Sequence, residues 1–274
     1  MRIGRKKSSR HDPAVQRILC SQHSEHPVTI IEHPYRCRYG YARAEETVRQ
    51  RENGQDFLGL HLQGNGCSFV LCDGVSMSYQ GDFAARFLGE RLLGWLADLG
   101  APPSEQAFHA YIGGLTGPAT KAVEGLPIPR DTPQLLREVL EEKRSRGSES
   151  MFICGHIERA SRSGLRKGKL WLAWQGDCRL RLWVNGTEVK APFQDKIRIG
   201  ERWSTLTGPV GGPPHLFAMD LPRSGTYRLL CYTDGLRELD GCSGTPSDAE
   251  LQRMLDQPQG GALTDDASFI EVSW

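Results

Sequence analysis

Residues 67–96 read CSFVLCDGVSMSYQGDFAARFLGERLLGWL. The first six residues form an apolar run of the kind found in a strand buried on both faces, and the run stops on Asp73-Gly74. The period then changes. Ala84, Phe87, Leu88, Leu92, Trp95, Leu96 and Leu99 recur at steps of three and four, which draws one apolar stripe along a helix over about 80–98. Asp-Gly is common turn chemistry, and taken alone Asp73 reads as a turn residue. A buried strand that ends on a carboxylate nevertheless raises the question of what that charge holds.

Outward from this stretch the pattern alternates between strands and helices. Upstream, YRCRYGYARA (35–44) and DFLGLHL (56–62) read as strands. Downstream, APPSEQ (101–106) ends the first helix and opens a second, with Ser104 as its N-cap. TPQLLREVLEEKRSR (132–146) is a third helix with Pro133 at its first position. Strands return at MFICGHIE (151–158), KLWLAWQGD (169–177) and RLRLWVNG (179–186), where Asn185-Gly186 marks a tight hairpin. Residues 191–225 are rich in Gly and Pro and are expected to form a loop or flap. YRLLCYTDG (227–235) is a second apolar run ending in Asp-Gly, a short helix is expected at 247–255, and TDDASFIEVSW (264–274) closes as a strand. Strands, then helices, then strands predict one α+β domain over 35–274. Residues 1–34 read as a basic, irregular N-terminal extension.

The chain has 274 residues with 38% hydrophobic and 24% charged content, ordinary for a soluble globular protein. A net charge of +1 gives no global pull toward nucleic acid or membrane, and neither is expected as a partner. Only MRIGRKKSSR, with five Lys/Arg and no acid, is locally basic; it reads as a solvated tail, with a nucleic-acid or partner contact as the sharper alternative. No apolar run is long enough to span a bilayer. The eight cysteines show no regular frame, and several sit in strand-like runs, so a reducing cytoplasm is expected. Cys20, His23, His26, His33 and Cys37 match no standard zinc spacing.

Aspartates recur at strand ends. Asp56 precedes a strand, Asp73 and Asp234 end strands, Asp177 lies in a turn between two, and Asp265 and Asp266 precede the last. Carboxylates gathered at one rim repel, and hard divalent cations with oxygen ligands neutralise them. Any one of these residues is ordinarily a turn residue; their joint order is what points to a site.

In that order the sequence resembles the metal-dependent, type 2C serine/threonine protein phosphatases, as a divergent, bacterial-type member. The resemblance runs over most of 36–274 and rests on five blocks: RQRENGQDF (49–57), FVLCDGVSMSYQGDFAA (69–85), GSESMFICGHI (147–157), LAWQGDCRLRLW (172–183), and the pair LLCYTDGL (229–236) and TDDASFIEV (264–272). It implies a central β-sandwich flanked by helices in α-β-β-α layers. It implies an activity, hydrolysis of phosphoserine and phosphothreonine by a water activated at a dinuclear Mg²⁺ or Mn²⁺ centre, with a third ion in some members. Asp73 matches the aspartate bridging both metals, and Gly74 the glycine whose carbonyl binds one. Asp234 and Asp265 match the carboxylates completing the other site, and Asp56, after Gln55, the pair that contacts water at the metals. Arg51, five residues before Asp56, matches the arginine that holds substrate phosphate, and Asp177 an aspartate at the third metal. The partner implied is a phosphoprotein, the target of a Ser/Thr kinase, handled by a cytoplasmic monomer.

The sequence also departs from the family pattern. Gly54 stands where the family often has Asn, and DGVSMS replaces Asp-Gly-x-Gly-Gly. Val75 stands where many eukaryotic members have a histidine, and Cys178 replaces a serine. Two alternatives follow: a catalytically silent fold that binds a partner, and a phosphatase for small phosphoesters.

Overall fold

The computed structural model describes residues 15–160, 167–256 and 261–274. Two antiparallel sheets face each other. The first runs β1 (Gln16–Leu19), β4 (Phe57–Gln63), β5 (Gly66–Gly74) and β6 (Glu149–Glu158). At β6 it forks, to β10 (Arg202–Ser204) and β11 (Gly208–Val210) on one branch and to β7 (Gly168–Gln175) and β12 (His215–Leu221) on the other. The second sheet is ordered β2 (His26–Ile31), β3 (Arg36–Ala42), β14 (Ala267–Ser273), β13 (Tyr227–Tyr232), β8 (Arg179–Val184) and β9 (Thr187–Val189). The helices are α1 (Glu45–Gln50), α2 (Gly81–Leu99), α3 (Glu105–Gly114), α4 (Thr116–Glu124), α5 (Gln134–Arg146) and α6 (Asp248–Asp256), with a 3-10 helix at Asp234–Gly241.

The period-2 alternation of β5 explains the layers. Cys67, Phe69 and Leu71 enter the core between the sheets, with Leu58, Leu60, Ile153, Trp174, Leu229 and Ile270. Val70 and Cys72 face the other way, against Leu88, Leu92 and Leu96 of α2 and Phe108 of α3. On the outer face of the second sheet Leu230, Tyr232 and Phe269 pack on Leu251, Met254 and Leu255 of α6 and on Leu236 and Leu239 of the 3-10 helix. This is the α-β-β-α sandwich expected from the sequence. By the same alternation, Asp73 belongs to the row that faces the second sheet, and it stands at the rim where the core ends.

The main helices form where the periodicity placed them. The stripe at 80–98 is α2, and Ser104 caps α3 by accepting the Ala107 N–H at 3.2 Å. Pro133 lies one residue outside α5, as its N-cap, rather than at the first helical position. Asn185 and Gly186 take positive φ and turn β8 into β9. Three expectations are corrected. Residues 15–34 are not irregular: β1 pairs with β4, and β2 with β3, so this segment edges both sheets. The basic stretch 1–10 lies outside the described residues. Within 191–225, β10, β11 and β12 are strands, and β12 pairs with β7 over its full length. Asp234 does not end β13, which stops at Tyr232; it opens the 3-10 helix.

Candidate active site: an acidic rim

Five segments bring aspartates to one end of the sandwich. Asp56 precedes β4, and because Phe57 pairs with Cys72 in the antiparallel register it stands beside the Asp73 end of β5. Asp177 follows Gly176 (φ +106°) in the turn after β7. From the second sheet come Asp234, two residues past β13, and Asp265 and Asp266, just before β14.

Backbone contacts lock these segments together. Gly74 N–H donates to Gln55 O at 3.1 Å, and Ser150 Oγ donates to Asp73 O at 2.9 Å. Gly74 has no room for a side chain: a Cβ would stand 2.4 Å from Gly81 O and 2.9 Å from Gln55 O. Backbone atoms cannot step aside, which explains a glycine after Asp73 independently of any ligand. Gly235 is similarly closed in, with Asp266 O 2.1 Å from its would-be Cβ.

Asp56 is 2% exposed and its Oδ2 accepts two hydroxyl hydrogen bonds, from Thr233 Oγ1 and Ser268 Oγ, each at 2.7 Å. Asp266, assigned no role from the sequence, is also buried. Its Oδ1 accepts the Ala44 N–H at 2.7 Å and its Oδ2 the Gln55 N–H. It ties the 52–56 turn and the start of α1 to β14. Thr233, Ser268 and Asp266 all lie in quoted motif blocks; the signal that could have found them is a hydroxyl or carboxyl beside each metal-type aspartate. The Gly54 departure also has a physical cause. The Tyr41 hydroxyl lies 1.5 Å from where a Cβ would be, so Tyr41 fills the space an Asn side chain would need.

The rim concentrates negative charge. Burial, then Asp234, Asp265, Asp177 and Asp266, push the Asp73 carboxyl well above its ordinary range. Burial and then Asp73 and Asp266 do the same to Asp56. Asp265 is exposed as a residue, yet loss of water around its carboxyl and the charge of Asp234 raise it to about 6. Asp177 is raised by burial and by Asp234, against the nearby Arg179, whose Nη1 is 3.6 Å from its Oδ2. Arg51 is the exposed C-cap of α1 in the left-handed region (φ 58°), and its guanidinium forms no ion pair among the described residues.

The donor set is all oxygen and anionic, which suits a hard divalent cation. It is not a finished cage: among the described residues no three His, Cys, Asp or Glu side chains stand close enough to hold an ion as placed. Carboxylates closing on one point repel, and bringing them together takes the charge of the cation itself.

No family model matches the chain. No curated protein matches it in sequence either. Solved structures do. The S. agalactiae serine/threonine phosphatase aligns at TM-score 0.54 with 14% identity, over 94% of this chain and 99% of that one. Serine-threonine phosphatase 2C from Toxoplasma gondii aligns at 0.52 with 12% identity, over 95% and 99%. RsbX in complex with magnesium aligns at 0.50 with 11% identity, over 90% and 98%. This chain carries, in a divergent sequence, the fold of the type 2C serine/threonine phosphatases.

Proposed function

We propose that the protein is a Mg²⁺- or Mn²⁺-dependent phosphatase of phosphoserine and phosphothreonine in proteins. The observation that carries this reading is the convergence of Asp73, Asp177, Asp234 and Asp265 at one rim of the sandwich, where Arg179 offsets part of the charge of Asp177 and Asp234. The structure of RsbX in complex with magnesium, similar in fold, supports a divalent cation as the ligand. Asp73, the Gly74 carbonyl, Asp234 and Asp265 would hold two ions, with Asp56 reaching them through water, and Asp177 would help hold a third. Such ions, when bound, screen a phosphate dianion and lower the pKa of water so that a nucleophile exists at neutral pH.

The chain's own groups supply the rest. Thr233 and Ser268 occupy Oδ2 of Asp56, which leaves Oδ1 to accept a hydrogen bond from the attacking water and orient it. Arg51, on the 51–56 segment that Gln55 and Gly74 pin to the rim, offers a planar fork for two phosphate oxygens. Attack in line with the leaving oxygen requires no covalent enzyme intermediate. The eight unpaired cysteines support a reducing, cytoplasmic setting. Among the described residues no helix is long and apolar enough to cross a membrane.

The second reading is a silent fold that binds a partner, and the ungathered carboxylates are the observation that favours it. Purified protein would be assayed for phosphate release from a phosphothreonine peptide and from a small aryl phosphate, with Mn²⁺ and with EDTA. Mn²⁺-dependent release from the peptide, lost by at least about a thousandfold in Asp73→Asn, is expected; each factor of ten corresponds to ~1.4 kcal/mol of barrier. Turnover of the small ester alone would redirect the substrate class. No turnover of either, with no Mn²⁺ binding by calorimetry, would leave the binding module.

A further inference from the structure

The rim is one end of the sandwich; the opposite end holds a second, separate polar site. Along the first sheet the register sets His61 (β4) opposite Ser68 (β5), Ser68 opposite His156 (β6), and His156 opposite Trp171 (β7). Residues directly opposite in antiparallel strands share a face. This row lies on the helix side, one step beyond the apolar row made by Val70, Cys154 and Ala173. A cavity of about 360 Å³ opens over it, lined by His61, Ser68, His156, Asp98 and Glu158. Ser68 and Asp73 are five residues apart on β5, about 17 Å at the strand rise, so the cavity is distinct from the acidic rim.

His156 is the unusual member. It is 2% exposed, its Nδ1 lies 2.9 Å from Ser68 Oγ, and its Nε2 has no hydrogen-bond partner among the described residues. A buried imidazole nitrogen left without a partner is costly. Burial, and then His61, push its pKa down to about 4, so the ring is neutral at physiological pH. Gly66 leaves the ring its room, since a Cβ there would stand 3.3 Å from Cε1. The other features of the cavity select the sign of a ligand. Asp98 and Glu158 carry negative charge, and Ala97, Asp98 and Gly100 are the C-terminal end of the 19-residue α2, where the helix dipole favours cations.

We propose that this cavity binds a borderline divalent transition cation, of the Zn²⁺, Co²⁺ or Ni²⁺ type, through His156 Nε2 and His61. Imidazole nitrogen suits such cations, whereas Mg²⁺ and Mn²⁺ favour the oxygen-only rim. Binding selects the tautomer in which Nδ1–H donates to Ser68 Oγ and the Nε2 lone pair is left for the cation, the usual arrangement behind a metal-bound histidine. The two histidines are two donors rather than a closed cage, so water completes the shell, with the Asp98 and Glu158 carboxylates of the cavity wall balancing its charge.

The test uses the full chain with Asp73→Asn, which weakens the acidic rim. Co²⁺ is titrated by calorimetry and followed by its visible absorption, which reports nitrogen ligation. One site is expected, not displaced by excess Mg²⁺. His61→Ala, at a partly exposed position, is expected to weaken it at least about tenfold, and Ser68→Ala, which leaves both ligands in place, by roughly ten- to a hundredfold. His156→Gln is expected to abolish it, and circular dichroism on all three variants checks folding. Absence of Co²⁺ binding, or binding unchanged in folded His61→Ala and His156→Gln, would overturn the proposal. So would thermal stabilisation by an organic ammonium ion with none by Co²⁺.

Discussion

Asp56 shows how much of the rim depends on groups that carry no charge. Its Oδ2 is held by two hydroxyls from the other sheet's end, Thr233 just past β13 and Ser268 in β14, so its position reports the packing of β13 against β14. Thr233→Val removes one hydroxyl at constant shape. It is expected to cost about 1–3 kcal/mol of stability, as for any buried acceptor losing a partner, and to lower turnover. Thr233→Ser keeps the oxygen and is expected to restore both in thermal melts and in the peptide assay. Equal loss in the two variants would show that the methyl group, not the hydroxyl, matters. At this scale the aspartates were legible because each sits within two residues of a strand end in a recognisable block. Their supports were not. Thr233, Ser268 and Asp266 act across strands far apart in sequence, and Tyr41 meets Gly54 only in the folded chain.

At the scale of elements, α2 was the clearest feature of the sequence, and it contains its own control. Gly89 faces the sheet, and a Cβ there would stand 2.2 Å from the ring of Phe57; Gly94 meets nothing within 4 Å. Gly89→Ala is therefore expected to destabilise by about 1–3 kcal/mol through overpacking. Gly94→Ala is expected to stabilise by about 0.5–1 kcal/mol through helix propensity. Opposite signs in denaturant melts would confirm that α2 seats on β4 as described; the same sign in both would not fit. The elements that the sequence hid are of another kind. β1 and β2 are edge strands with largely uncovered faces, so no clean alternation marks them. α4 reads as a Gly-rich segment, GGLTGPATKAVEG, yet Ala119 and Val123 bury one side of it. β10 and β11 are three residues each, too short for any period. Tertiary pairing, not local preference, makes these elements.

For the whole molecule, the acidic rim should set how stability depends on pH. Asp73 and Asp56 are held well above the ordinary value of 3.8, and Asp265 at about 6. A carboxyl whose folded pKa is raised binds more protons in the folded state. Its stabilising contribution is complete below the unfolded value and is lost as pH rises through the folded one. Glu25 and Glu188, held low by hydrogen bonds from Arg43 and Arg181, have the opposite sign and act only as pH falls below the ordinary glutamate value of 4.5. Between about pH 4 and 7 the metal-free protein should therefore lose stability from the rim as pH rises. Asp73→Asn replaces the central charge by a neutral side chain of the same shape. Its Tm in EDTA, relative to the parent chain, is expected to rise with pH across that window. At this chain length ~1 kcal/mol corresponds to roughly 2–4 °C, so a difference of a few degrees is measurable. Mn²⁺ should raise the parent Tm most at the high-pH end, where the carboxylates are ionised, and should have little effect on the variant. Parallel Tm curves for the two proteins in EDTA would mean that Asp73 does not sit in a concentrated field of aspartates. That result would remove the electrostatic basis for a cation at the rim, whatever the peptide assay reports.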